Sequence, residues 1–113
     1  MTLQEFTSTY NLHDSLLLST DYNELEKKFE ITVDFAFWMQ DGYHQSDPET
    51  GLIKVLFSNV SSVTCSPNID FDQVSILGTE AMDQALRIML LNEFTEDTLW
   101  IIVYATNVDV IKL

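Results

Sequence analysis

The sequence predicts a mainly β, single-domain protein over residues 1–113, arranged as an antiparallel meander of six or seven strands with one or two short helices. Two observations favour this fold class. Apolar and polar residues alternate with a period of two, most clearly from Phe29 to Phe37, which is the pattern of a strand with one buried face. The polar stretches between such segments are too short for repeated strand–helix–strand crossovers. A curved sheet, a half-barrel and a small sandwich are all compatible with this periodicity.

Four strand segments are predicted in the first part of the chain. Ser15 to Tyr22 is the first, and Phe29 to Phe37 follows it with five large apolar side chains on one face. Leu52 to Val60 alternates large apolar residues with Lys and Ser. Ser62 to Cys65 either continues that strand or pairs beside it.

Four further segments are predicted in the rest of the chain. Gln73 to Leu77 is short, and Leu86 to Leu91 alternates in the usual way. Leu99 to Thr106 is apolar on both faces, which is typical of a central strand covered on both sides or of one whose outer face meets a partner. Val108 to Leu113 is the last predicted strand.

Helix signals are sparse. Thr2 and Glu5 have the spacing of a capping box, so a short helix is expected over residues 3–8. Glu80 to Ala85 is expected to form a single helical turn before the next strand. No internal repeat stands out.

The charge balance restricts the classes of partner. The chain has 5 Lys+Arg against 18 Asp+Glu, so its formal net charge is −13 at pH 7. Nucleic-acid binding depends on cationic side chains that displace counterions, so a nucleic acid is a poor partner, and anionic membrane surfaces are disfavoured for the same reason. At 46% hydrophobic residues the chain has enough material for a packed core, which argues against intrinsic disorder.

Cysteine content and the first residues indicate a cytoplasmic location. Cys65 is the single cysteine, so an intrachain disulfide is excluded, as is usual in a reducing compartment. The residues after Met1 lack the basic and apolar regions of a signal peptide. The longest apolar stretch, Leu99 to Ala105, is far shorter than the ~20 residues of a membrane-spanning helix.

The residues that could carry catalysis lack the necessary arrangement. His13, Asp14 and Ser15 contain the letters of a hydrolase triad, but neighbours on an extended chain point to opposite faces and do not converge. The three glycines are isolated, so no phosphate-binding loop is formed. We therefore expect neither enzymatic activity nor a cofactor.

Metal-ligand spacing is also absent. Asp70 and Asp72 alternate, but no glycine and distal Glu complete a calcium loop. Acids between residues 41 and 49 are better interpreted as a solvated loop, so no metal site is expected.

The acids and the aromatic residues beside them suggest a protein-binding surface. Acidic patches steer basic partners, and an aromatic anchor surrounded by charged residues is the usual composition of an interface hot spot. The predicted partner-binding residues are Trp38, Asp41, Tyr43, Asp47, Glu49, Glu93, Phe94, Glu96 and Asp97. A generic solubilising surface is the alternative interpretation of the same acids.

A resemblance adds a more specific expectation. The segment Asn11-Leu12-His13-Asp14-Ser15 precedes Leu16-Leu17-Leu18, and Phe57 and Val60 lie in a later strand. With these features, residues 10–65 resemble small bacterial β-sheet proteins that carry a His-Asp-Ser start. Several such groups are similar to immunity proteins of polymorphic toxin systems. The resemblance implies a cytoplasmic single-domain protein that neutralises a toxin by binding it, and it carries no functional residue over.

Two alternatives come from other classes of function. The apolar strand Leu99 to Tyr104 and a free edge at Val108 to Leu113 would allow a self-associating structural protein, as a homodimer. A small hydrolase or metal enzyme that uses clustered acids is the less favoured one.

Overall fold

The computed structural model describes residues 1–113 and is mainly β, as predicted. Helix α1 (Leu3–Thr9) precedes eight strands, which form one open antiparallel sheet in the order β4-β7-β6-β5-β1-β2-β3-β8. The strands are β1 (Leu16–Asn23), β2 (Lys28–Ala36), β3 (Thr50–Ser58), β4 (Ser62–Cys65), β5 (Val74–Met82), β6 (Ala85–Asn92), β7 (Thr98–Tyr104) and β8 (Asn107–Lys112). The expected count of six or seven is too low, because Ser62–Cys65 pairs with β7 as a separate strand instead of continuing β3.

The connectivity is more complex than a simple meander. β1-β2-β3 and β5-β6-β7 are two meanders that meet where β1 pairs with β5. The strand that follows each meander joins the other one: β4 follows β3 but pairs with β7, and β8 follows β7 but pairs with β3. Each half of the sheet is therefore completed by a strand from the other half.

The two halves correspond to each other residue by residue around this junction. Both β1 and β5 contain a bulge, at Leu17/Ser19 and at Ile76/Gly78. The segments around them, Leu17-Leu18-Ser19-Thr20-Asp21 and Ile76-Leu77-Gly78-Thr79-Glu80, match in chemical character. The two halves thus have the same strand order and a bulge in the corresponding strand, a symmetry that we did not expect from the sequence.

The predicted helical turn at Glu80–Ala85 is wrong. These residues form the end of β5 and the hairpin to β6, in which Met82 pairs with Ala85 and Gln84 has a φ of 58°. Glu80, Ala81, Met82, Gln84 and Ala85 are good helix formers by local propensity, and pairing with β6 overrides that preference. The predicted strand Gln73–Leu77 is shorter than β5 because the bulge after Ile76 inserts an extra residue that interrupts the alternation marking a strand.

The core lies on the inner face of a strongly curved sheet. Alternate residues of β2 and β3 from one half, and of β6 and β7 from the other, belong to a single cluster of 21 buried residues. Ile31 and Ile88, for example, are both fully buried. Apart from α1 and short turns the chain has nothing else to cover this face, so the two halves of the sheet pack their inner faces against each other.

Helix α1 begins with the predicted capping box. The Glu5 backbone N–H donates to the Thr2 hydroxyl, and the Thr2 N–H donates to the Glu5 carboxylate, which holds the pKa of Glu5 below its usual 4.5. The helix contacts β5 and β8 and buries Leu3 and Phe6 in the core. It is the single α-helix, and no helix of the structure is long and apolar enough to cross a membrane.

The outer face of β5, β6 and β7 is apolar and uncovered. Met89 pairs with Trp100 across the two strands, and Trp100 and Tyr104 are each more than one-third exposed. The charged side chains on this face, Arg87 and Glu80, form an ion pair. This face is therefore without net charge in a chain of charge −13.

Candidate functional site

Most of the loop acids lie around the junction of β1 and β5. Both strands begin near the Leu16–Ser75 pair, and four connecting segments flank this point: residues 10–15 and 66–73 lead into β1 and β5, and residues 37–49 and 93–97 follow β2 and β6, whose ends pair with the starts of β1 and β5. We call this region the acidic end. Its carboxylates are Asp14, Asp41, Asp47, Glu49, Asp70, Asp72, Glu93, Glu96 and Asp97.

The cations lie mostly elsewhere. Lys27 and Lys28 lie where β1 turns into β2, at the far end of β1 from the junction, while Lys54 pairs with Glu30 at 3.0 Å on the outer face. Arg87 is also engaged on the outer face, so Lys112 is the single Lys or Arg at the acidic end. The acidic end thus has many carboxylates and few cations.

The loop between β2 and β3 carries the first group of predicted binding residues. A 3-10 turn at Phe37–Met39 follows β2 and leaves Trp38 47% exposed. The Tyr43 hydroxyl donates to the Asp47 carbonyl at 3.2 Å, and the Asp47 carboxylate accepts the His44 N–H at 3.2 Å. Asp41 and Glu49 are exposed and form no ion pair.

The hairpin between β6 and β7 carries the second group. The Asn92 carboxamide oxygen accepts the backbone N–H groups of Phe94 and Thr95, at 2.9 and 3.1 Å. This arrangement fixes the turn and leaves the Phe94 side chain 75% exposed. Glu93, Glu96 and Asp97 are exposed around it. An exposed Phe in an ordered turn is a suitable contact for a partner.

The two groups share the acidic end but are not contiguous. The strands β5 and β1 separate their hairpins in the sheet order, so neighbouring segments with Asp14, Asp70 and Asp72 lie between them. Glu24 and Glu26 lie at the far end of β1 from the junction, so they are outside the acidic end although they are also loop acids.

A cleft at the acidic end brings in residues that the sequence did not single out. It has a volume of about 530 Å³ and lies beside the end of α1. Four aromatic rings line it, together with Gln40, two carboxylates and the Lys112 side chain. We call it the aromatic cleft, and its principal residues are Tyr10, Phe35, Phe37, Gln40, Asp41, Tyr43, Asp47 and Lys112.

The rings of the aromatic cleft pack on one another. Phe35 and Phe37 lie edge to face with centroids 5.4 Å apart, and the Tyr10 centroid is 6.0 Å from that of Phe35. Lys112 Nζ lies 5.6 Å from the centroid of the Phe37 ring, which is within the range of a cation–π interaction. The Lys112 ammonium has no carboxylate within ion-pair distance.

Gln40 fixes the cleft to the rest of the fold. Its side-chain nitrogen donates to the carbonyls of Asn11 and Ala36, at 2.7 and 2.9 Å, and its side-chain oxygen accepts the Asn11 N–H at 2.9 Å. The carboxamide therefore connects the segment after α1 to the end of β2. This link fixes Tyr10, which precedes Asn11, relative to Phe37, which follows Ala36.

The residues His13, Asp14 and Ser15 join the two halves of the sheet. The Asp14 N–H donates to the Ile76 carbonyl, and the Ile76 N–H donates to the Ser15 carbonyl. The buried Ser15 hydroxyl accepts the Ala36 N–H at 3.0 Å, while His13 Nδ1 lies 2.7 Å from the Leu77 carbonyl oxygen. All three thus have structural contacts at the junction of β1 and β5.

Cys65 ends β4 with an exposed thiol, beside a second cleft lined largely by apolar residues. No group of three or more His, Cys, Asp or Glu side chains is placed to hold a metal ion.

No protein-family model, curated protein or solved structure matches the chain.

Proposed function

We propose that this protein binds a basic protein through its acidic end and acts as an immunity protein that neutralises a bacterial toxin by direct binding. The observation that carries the proposal is the segregation of charge: nine carboxylates and one Lys side chain lie at that end. Such a field accelerates association with a cationic surface, toward ~10⁸–10⁹ M⁻¹s⁻¹ at low salt.

Exposed aromatic side chains supply the apolar contacts that charge alone lacks. Trp38 is 47% exposed and Phe94 is 75% exposed, each on a hairpin held by backbone hydrogen bonds. Because the loops are already ordered, burying these rings in an interface costs little conformational entropy. The resemblance of residues 10–65 to immunity-like proteins favours a toxin as the partner.

The test measures association with the protein encoded by the adjacent gene, at low and physiological salt. A variant with Glu93→Gln, Glu96→Gln and Asp97→Asn removes three charges from the acidic end. The matched control, Glu24→Gln, Glu26→Gln and Asp83→Asn, removes three charges from the turns at the far ends of β1 and β5 from the junction. We expect the first variant to associate about tenfold more slowly at low salt and the control to change much less.

Two results would contradict the proposal. Equal effects of the two triple variants would mean that net charge, and not the acidic end, controls binding. Absence of binding at micromolar concentrations in low salt would exclude the protein encoded by the adjacent gene as the partner. Neutralisation itself is measured by growth: co-expression of this chain is expected to rescue cells from the neighbouring protein, and the acidic-end variant is expected to rescue them less.

A second candidate is self-association through the uncharged outer face of β5, β6 and β7. It is favoured by the exposure of Leu77, Trp100 and Tyr104 on a face without net charge. Sedimentation velocity over a hundredfold concentration range tests it, with Trp100→Glu as the disrupting variant. A monomer at the highest concentration would exclude this candidate.

A further inference from the structure

The aromatic cleft combines features that suit one class of ligand. Its walls present the rings of Tyr10, Phe37 and Tyr43, and its rim carries the carboxylates of Asp41 and Asp47. Its volume of about 530 Å³ lies within the usual range of ligand pockets. Aromatic faces attract cations, and the carboxylates repel anions, so the ligand is expected to be a cation with a flat or apolar surface.

The chain itself supplies a cation at this place. Lys112 Nζ lies over the Phe37 ring at 5.6 Å from its centroid, although no carboxylate is within ion-pair distance. The ring face therefore accommodates a cation without the help of a direct ion pair. Because the Lys112 side chain is exposed on an edge strand, it is free to move away when another cation enters.

The two carboxylates of the cleft differ in the hydrogen bonds that they accept from the protein. Asp47 accepts one hydrogen bond, from the His44 N–H, and has further acceptor positions free. Asp41 accepts no hydrogen bond from the protein and is exposed on the rim. Both can therefore accept hydrogen bonds from an incoming group without breaking the loop.

We propose that the aromatic cleft receives an arginine side chain of the basic protein partner, with its guanidinium against the aromatic rings and Asp41 and Asp47 as the counter-ions. The proposal rests on the proposed function and specifies the chemistry of recognition. Arginine is preferred to lysine because a planar guanidinium stacks on rings and offers a fork of donors to carboxylates, whereas an ammonium is a strongly hydrated point charge.

The test uses N-acetyl-L-argininamide as the probe, titrated into the intact protein at low salt. Backbone amide shifts of Tyr43 and Asp47 report on binding. N-acetyl-L-citrullinamide is the control, because it has the same shape without the charge, and N-acetyl-L-lysinamide keeps the charge without the planar fork. We expect the arginine probe to bind about fivefold more tightly than the citrulline probe, with the lysine probe between them.

Variants then locate the binding. Asp41→Asn is expected to weaken the arginine probe about threefold or more, whereas Glu96→Gln, which removes one charge from the other hairpin, is expected to change it less than twofold. Lys112→Gln is expected to strengthen binding, because it vacates the Phe37 ring and removes a repelling charge. Its matched control is Lys28→Gln, which makes the same charge change at the far end of β2 from the cleft.

The outcomes separate this inference from the proposed function. If the arginine and citrulline probes bind alike, or if Asp41→Asn and Glu96→Gln have equal effects, the cleft is not an arginine site, whatever the partner protein does. A preference for the lysine probe would also overturn the inference. If the arginine probe behaves as expected but the product of the adjacent gene does not bind, that partner is wrong and the chemistry of the cleft stands.

Discussion

The junction between the two halves of the sheet offers a quantitative test of the fold. β1 and β5 share one register pair, Leu16 with Ser75, so few backbone hydrogen bonds hold the halves together along this line. The Ser15 hydroxyl adds a buried contact by accepting the Ala36 N–H at 3.0 Å. Ser15→Ala removes this acceptor and leaves a buried backbone donor without a partner.

The size of the effect follows from that unpaired donor. Leaving one buried polar group unsatisfied costs about 1–3 kcal/mol of the free energy of unfolding. For a domain of this length the melting temperature falls by about 4 °C per kcal/mol, so a decrease of roughly 4–12 °C is expected. Ser75→Ala is the matched control, because Ser75 is also buried at the junction but its side chain makes no hydrogen bond to the protein.

Thermal and urea unfolding of both variants provide the measurement. Amide hydrogen exchange in Ser15→Ala is expected to accelerate more at Ala36, whose N–H loses the Ser15 hydroxyl, than at Ile76, whose N–H keeps the Ser15 backbone carbonyl as its acceptor. A difference between the two variants of less than about 0.5 kcal/mol, which is the usual range for neutral substitutions, would refute the reasoning.

Three further outcomes are expected. Thr2→Ala removes the N-cap hydroxyl and costs about 0.5–2 kcal/mol, measured as a lower melting temperature at neutral pH. The pKa of Glu5 is lowered mainly by the Thr2 backbone N–H, which the variant keeps, so the contribution of Glu5, present above 4.5 and lost as the pH falls through the folded value, should decline in both proteins and most of the melting-temperature gap should persist in acid. Gln40→Glu replaces two donated hydrogen bonds by repulsion from the carbonyls of Asn11 and Ala36. Unfolding in urea should therefore show that the free energy of unfolding falls by about 1–3 kcal/mol. An unchanged urea midpoint would contradict the role of this link. Raising NaCl from ~10 to 200 mM should raise the melting temperature, because salt screens repulsion among the acids, and an unchanged value would show that they do not repel one another.

Local patterns predict the strands well, and pairing explains the differences. Phe29 to Phe37 alternates because only one face of β2 meets the core, and the structure has that strand at Lys28–Ala36. Nothing in Ser62–Cys65 itself indicates that it pairs with β7, because that choice depends on which sheet edge is free after the distant strands have assembled. The bulge in β5 removes the local signal in the same way.

The candidate site was predicted in composition and not in geometry. The exposure of Trp38 and Phe94 is a property of the folded hairpins, since either residue would suit a core equally well by composition. The aromatic cleft joins Tyr10 from the start of the chain to Lys112 from its end, and no local pattern relates residues so far apart. Which loop acids surround the junction depends on the offset register of β1 and β5, and no local pattern reveals that register.

The exchange of β4 and β8 determines how the molecule can come apart. Each layer of the core is closed at its margin by a segment that belongs, in chain order, to the opposite layer. Melting one layer therefore strips the other of its outermost strand and exposes Val108 or Val63 together with the side chains beneath. A partly unfolded intermediate is therefore not expected to be stable, and unfolding should be all-or-none. For the same reason, a chain cleaved in the turn at residues 24–27 should keep its two fragments associated.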